Sequence, residues 1–137
     1  MIRTLIVEPS TPFSEAIAHA CRAANIVATS AHNLEEARGA IENDEIYDGV
    51  LVGADRPAAE VSELVRLTLA RDLLAEVVLF GTNFEIEQTV RWMRSGVSNV
   101  VVLAQNEEEP LAKLMAVLSD SIRTRQQDLD SLARFPS

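Results

Sequence analysis

The stretch YDGVLVGADRP, residues 47–57, decides how this chain is read. Val50, Leu51 and Val52 form a short β-branched apolar run that ends at Gly53. Asp55 and Pro57 follow at once, so the run is a buried strand feeding a loop. A strand that is apolar on both faces belongs in a parallel sheet covered by helices on each side. The rest of the chain has to supply further strands and the crossover helices between them.

It does so on both sides. TLIVE (4–8), IVATS (26–30), EVVLFG (76–81) and NVVVL (99–103) have the length and composition of buried strands, and GVLVG (49–53) is the third of the five. Between them lie helical patterns. Thr11 followed by Pro12 reads as an N-cap with proline in the first turn, opening a helix that carries Phe13, Ile17, Cys21 and Ala24 on one stripe. Asn33 with Glu36 opens a second in capping-box fashion. Val61, Leu64, Val65, Thr68 and Leu69 mark a third. Ile86, Val90 and Met93 mark a fourth, which Gly96 closes as a C-cap. A fifth begins near Pro110. Five βα units with right-handed crossovers predict a flavodoxin-like (βα)5 fold, a doubly wound parallel five-stranded sheet. Its ligand crevice then lies at the carboxyl ends of the strands.

Composition limits the function. The 137 residues are 47% hydrophobic and 24% charged, which suits one folded domain. Twenty-one acids against 12 bases give a net charge of −9, which opposes nonspecific binding to nucleic acid or anionic lipid. No apolar run approaches the length of a membrane span, and MIRTLIVEPS lacks the apolar core of a signal peptide, so a cytoplasmic protein is expected. The single Cys21 reads as a buried apolar residue. His19 and His32 have no metal-ligand spacing, and no glycine-rich nucleotide motif is present. Neither a cofactor nor a metal is expected, and no enzymatic constellation is visible.

The order and spacing of these elements resemble the receiver domain of bacterial two-component response regulators over about residues 2–120. The resemblance rests on LIVEPS, YDGVLVGADRP, VVLFGT and SGVSNVVVLA. It implies a pair of acids after the first strand, a phosphoaccepting aspartate after the third, a hydroxyl after the fourth and a lysine after the fifth. Here Glu8 keeps one acid, but Pro9 replaces the other. Gly53 stands at the acceptor, Gly81 at the hydroxyl with Thr82 one residue late, and Leu103 at the lysine. Lys113, the only lysine, lies ten residues beyond that position. Glycine has no nucleophile and leucine cannot stabilise an anion. The resemblance therefore implies an atypical receiver, a pseudo-receiver whose degenerate site is Glu8, Pro9, Gly53, Gly81 and Leu103. Two alternatives stay open. Asp55 could act as a displaced acceptor or pair with Glu8 as an acidic site, and the two glycines could admit a small ligand.

The remaining signals concern partners. Trp92, flanked by Arg91 and Arg94, reads either as a core residue or as an interface anchor. Leu111, Met115, Leu118, Ile122, Leu129 and Leu132 recur at spacings of three and four, with Arg125 in the one missing slot. From Pro110 to Arg134 such a helix would be about 37 Å long, more than its own sheet can cover. Residues 1–120 are thus expected to form the receiver-like domain, and 121–137 an extension or linker helix. In the resembled family, the fourth helix, fifth strand and fifth helix commonly mediate dimerisation and output. Arg91, Trp92, Arg94, Lys113, Ile122 and Leu129 are accordingly the expected interface, for a homodimer or for a protein partner or effector domain in bacterial signalling or transcriptional control.

Overall fold

The computed structural model describes residues 1–43 and 45–134. Five strands, β1 (Arg3–Val7), β2 (Val27–Ala31), β3 (Gly49–Gly53), β4 (Glu76–Gly81) and β5 (Asn99–Val102), form one parallel sheet in the order β2-β1-β3-β4-β5. The helices are α1 (Pro12–Ala23), α2 (Leu34–Glu42), α3 (Ala58–Arg71), α4 (Ile86–Arg94) and α5 (Pro110–Arg134). This is the predicted flavodoxin-like fold with a long C-terminal helix.

Two cores result, one on each face of the sheet. Ile6, Leu51, Val78 and Phe80 point to α1 and α5, where Ile17, Cys21, Leu114 and Leu118 meet them. Leu5, Val50, Val52, Val77 and Leu79 point the other way, towards Ala37, Ile41, Val61, Leu64 and Trp92 on α2, α3 and α4. Alternation along each strand sends neighbours to opposite faces, and both faces are dry. The capping signals hold: Thr11 Oγ1 accepts from the Ser14 N–H, and Asn33 Oδ1 accepts from the Glu36 N–H at 2.8 Å. The Glu36 carboxylate returns to the N–H of His32, one residue ahead of the cap. Gly96 has φ +112°, a conformation that requires glycine, and a Cβ there would also push aside the Leu69 Cδ1 methyl 2.7 Å away.

Two helices carry their apolar stripes differently from the sequence pattern. The stripe of α4 faces solvent: Ile86, Val90 and Met93 are 82%, 41% and 45% exposed. The helix is held instead by Trp92, whose indole N–H donates to Ser62 Oγ at 3.0 Å and whose ring meets Phe84 edge-on. On α5 the seam divides. Ile122 was expected at an interface, yet it is 4% exposed and packs with Leu118 into the core. The sheet reaches further along α5 than its length suggested. Arg125, in the polar gap of the seam, is also buried. Its guanidinium pairs with Asp48 at 3.1 Å and Asp72 at 2.9 Å, at the starts of β3 and of the α3–β4 turn. Beyond Arg125 the helix leaves the sheet, and Leu129 and Leu132 are exposed. Within the extension assigned to 121–137, residues 135–137 lie outside the described residues.

Candidate functional site

Parallel pairing brings the ends of β1, β3, β4 and β5 level, so the side chains just past them share one crevice. Glu8 follows β1, Gly53 ends β3, Gly81 ends β4 and Leu103 follows β5.

The space above Gly53 is filled. A Cβ on that residue would lie 2.5 Å from Glu8 Oε1 and 2.7 Å from Glu8 Cδ, so the Glu8 carboxylate lies directly over the glycine. Gly81 repeats the arrangement, since a Cβ there would lie 2.9 Å from Asp55 Oδ1. Each missing side chain is replaced by a carboxylate arriving from a neighbouring element. Asp55 is held by Thr82, whose N–H donates to Asp55 Oδ1 at 3.1 Å and whose hydroxyl lies 3.2 Å from Oδ2. Thr82, one residue past the strand end, therefore positions the carboxylate that covers Gly81.

Arg56 completes the cluster. Its Nε donates to the Gly53 carbonyl at 2.7 Å and its Nη2 to the Val7 carbonyl at 3.4 Å, so the guanidinium bends back over the sheet. Burial pushes the Glu8 carboxyl above the ordinary glutamate range; Arg56 pulls it down and Asp55 pushes it up. Sequence reading passed over Arg56. Its signal was a cation in the loop next to Asp55 and Pro57, within reach of the lone acid Glu8.

The donor set is poorer than the one the resemblance implies for a divalent cation, since Pro9 and Gly53 supply no carboxylate and only Glu8 and Asp55 remain. Magnesium takes octahedral oxygen coordination and usually keeps one or two carboxylates. Here Glu8 is half-buried against Gly53, Asp55 is engaged by Thr82, and a guanidinium beside Glu8 already supplies positive charge. Among the described residues no three His, Cys, Asp or Glu side chains group together as a metal site.

The other expected residues are dispersed. Pro9 is exposed, and Leu103 is 8% exposed with its side chain in the α1–α5 core rather than in the crevice. Lys113 lies outside it: its Nζ donates to the Val102 carbonyl at 2.8 Å and to Glu107 at 3.2 Å, capping the edge strand β5. Arg91 and Arg94 are exposed, Trp92 is 6% exposed, and Leu129 is 41% exposed. Trp92 thus takes the core reading, because a buried indole N–H needs the partner that Ser62 provides. Ile86, Val90, Met93 and Val102 form the apolar surface of α4 and the β5 edge that Trp92 was expected to supply. Among the described residues no helix is long and apolar enough to cross a membrane.

No protein-family model matches the chain, and no curated protein does. Solved structures do. A CheY-like response regulator receiver domain protein from Methanospirillum hungatei superposes with TM-score 0.80 at 16% identity, over 93% of this chain and 98% of that one. The chemotaxis protein CheY4 of Vibrio cholerae gives 0.74 at 16%, over 88% and 98%. A structure described as an adenylate cyclase from Rhodopirellula baltica gives 0.77 at 13%, over 97% and 98%. The chain therefore has the fold of response-regulator receiver domains. At such identities the likeness concerns the backbone, and the side chains at the strand ends have to be read for themselves.

Proposed function

We propose that this chain is a pseudo-receiver, a signalling module that works by protein association without phosphoryl transfer. One observation carries the reading: the place of an acceptor side chain on β3 is taken by the carboxylate of Glu8 lying over Gly53. The resembled receivers place a phosphoaccepting aspartate and a cation at these strand ends. Here a glycine with no nucleophile stands at the acceptor position, and the two carboxylates beside it are already engaged, Glu8 over Gly53 and Asp55 by Thr82. The site reads as a fixed internal cluster that holds the β1, β3 and β4 ends in one arrangement. No cofactor is called for.

Output then depends on a surface that is already formed. Ile86, Val90 and Met93 leave an exposed apolar patch on α4, a helix that also carries the exposed Arg91 and Arg94, and Val102 is exposed on the edge strand β5. Such a patch on a charged module suits a protein partner, an effector domain or a second copy. The net charge of −9 argues against direct nucleic-acid binding. The setting we assign is cytoplasmic bacterial signalling or transcriptional control.

The test is an amide NMR titration with magnesium and beryllofluoride, a phosphoryl mimic. The expected result is no saturable shift at Glu8, Gly53, Asp55 or Thr82. Saturable shifts there that vanish in Asp55→Asn would instead establish Asp55 as an unorthodox acceptor and overturn the proposal.

A further inference from the structure

On the face of the sheet opposite α5, α3 and α4 do not close against each other. Between them runs an apolar groove of about 560 Å³. Val65 and Leu69 form its α3 wall, Leu73 just past the end of α3 extends it, and Trp92 lies on the α4 side. Leu73, at its lower end, is 85% exposed. A basic residue stands on each wall. Arg66 lines the groove from α3, and Arg91 on α4 lies one turn before the lining residue Ser95, on the same side of that helix.

The end of α5 has the complementary pattern. Leu129 and Leu132 are exposed and three residues apart, so they form one short apolar ridge. Asp128 and Asp130 flank that ridge on either side. The lengths also agree. Residues 126–134 continue past Arg125 for about 13 Å, and the lining residues of α3 from Ser62 to Ala70 span about 12 Å. The helix cannot reach its own groove, because α5 packs with α1 on the other side of the sheet. Both features nevertheless emerge at the same end of the molecule, since Arg125 is bonded to Asp72, the neighbour of Leu73.

We infer that the end of α5 docks into the α3–α4 groove of a second copy of this chain. Leu129 and Leu132 enter between Leu69, Leu73 and Trp92, and the two aspartates meet Arg66 and Arg91. Two copies placed end to end satisfy both grooves at once, giving a closed twofold pair rather than an open chain. The binding mode is an amphipathic helix in an apolar groove. Arg66 already pairs with Glu63 at 2.8 Å, but that pair is exposed and contributes little that an incoming carboxylate would have to offset. The contact leaves the Ile86, Val90, Met93 and Val102 patch free, so it stands or falls separately from the function proposed above.

The test uses the full chain in light-scattering and sedimentation measurements, with Trp92 fluorescence as a reporter inside the groove. A dimer is expected whose formation changes Trp92 emission and which weakens as salt rises. Leu129→Asp with Leu132→Asp on the ridge, or Leu73→Asp at the groove mouth, should each weaken it at least about tenfold. These residues are exposed, so each variant should fold, as circular dichroism will check. Mixing the ridge variant with the groove variant restores one intact ridge–groove contact and should recover part of the dimer. A monomeric wild-type chain would overturn the inference. So would a dimer that survives Leu73→Asp but not the ridge variant, because that is a coiled coil between two α5 ends. A dimer lost only on Val90→Asp would place self-association on the α4–β5 patch and overturn it equally.

Discussion

Replacing Arg125 with methionine should loosen the far half of α5 and destabilise the whole chain. The Arg125 side chain is 8% exposed, and its guanidinium bonds Asp48 Oδ1 at 3.1 Å and Asp72 Oδ2 at 2.9 Å. Methionine keeps most of the aliphatic packing, so the loss is electrostatic. Removing one partner of a fully buried ion pair costs about 3–5 kcal/mol, mainly because a charge is left without compensation. Here the stranded charges are partly relieved. Asp48 still accepts from the Arg3 N–H at 2.8 Å, Asp72 from the Leu74 N–H at 2.9 Å, and the two side chains are 22% and 19% exposed. About 2–4 kcal/mol is therefore expected, a fall in Tm on the order of 10 °C for a chain of this size. Urea unfolding followed by circular dichroism measures it. Arg123→Met provides the control, since its pairing with Asp120 is exposed and should be worth less than about 0.5 kcal/mol. Adding Asp48→Asn and Asp72→Asn to Arg125→Met should recover part of the loss, because the stranded charges are then gone. An Arg125→Met chain within about 0.5 kcal/mol of wild type would refute the reasoning and mean that α5 is held by Leu114, Leu118 and Ile122 alone.

Glu8→Gln should stabilise the chain at neutral pH. Burial raises the Glu8 pKa in the folded state, so the folded chain binds more protons than the unfolded one between the ordinary glutamate value and the raised one. Wild-type stability therefore falls as pH rises through that window, and the advantage of the Glu8→Gln variant should disappear below it in a pH series of urea titrations. Gly53→Asp should not create a phosphoacceptor. Its Cβ displaces the Glu8 carboxylate and sets two acids side by side, so a loss of about 1–3 kcal/mol is expected in urea unfolding, with no acid-labile phosphate after treatment with a small phosphodonor; a stable phosphorylated variant would sink this account of the cluster. Cys21 is wholly buried and burial raises its thiol pKa, so native protein should resist alkylation that proceeds fully in urea, as mass spectrometry will show.

The five strands, the order of helices, the Thr11 and Asn33 caps and the Gly96 stop were all legible in the sequence. Each depends on local period or local backbone chemistry, and a parallel sheet covered on both faces leaves few other ways to use apolar runs of this kind. That Gly53, Gly81 and Leu103 lack the side chains for phosphoryl transfer was equally plain, because an absent functional group needs no coordinates. What fills their places was not. Glu8 lies over Gly53 and Asp55 over Gly81 only because strands distant in sequence end side by side, and Arg56 caps carbonyls from two of them. The helix surfaces depended in the same way on neighbours. Periodicity finds the stripe of α4 but not its direction; Trp92, fixed by Ser62, turns Ile86, Val90 and Met93 to solvent. Arg125 looked like an interruption in an apolar seam until Asp48 and Asp72, far away along the chain, arrived beside it. Sequence determined the elements, since their energetics are local. Tertiary structure decided which charges meet and which apolar faces stay uncovered, since those depend on distances the chain order does not contain.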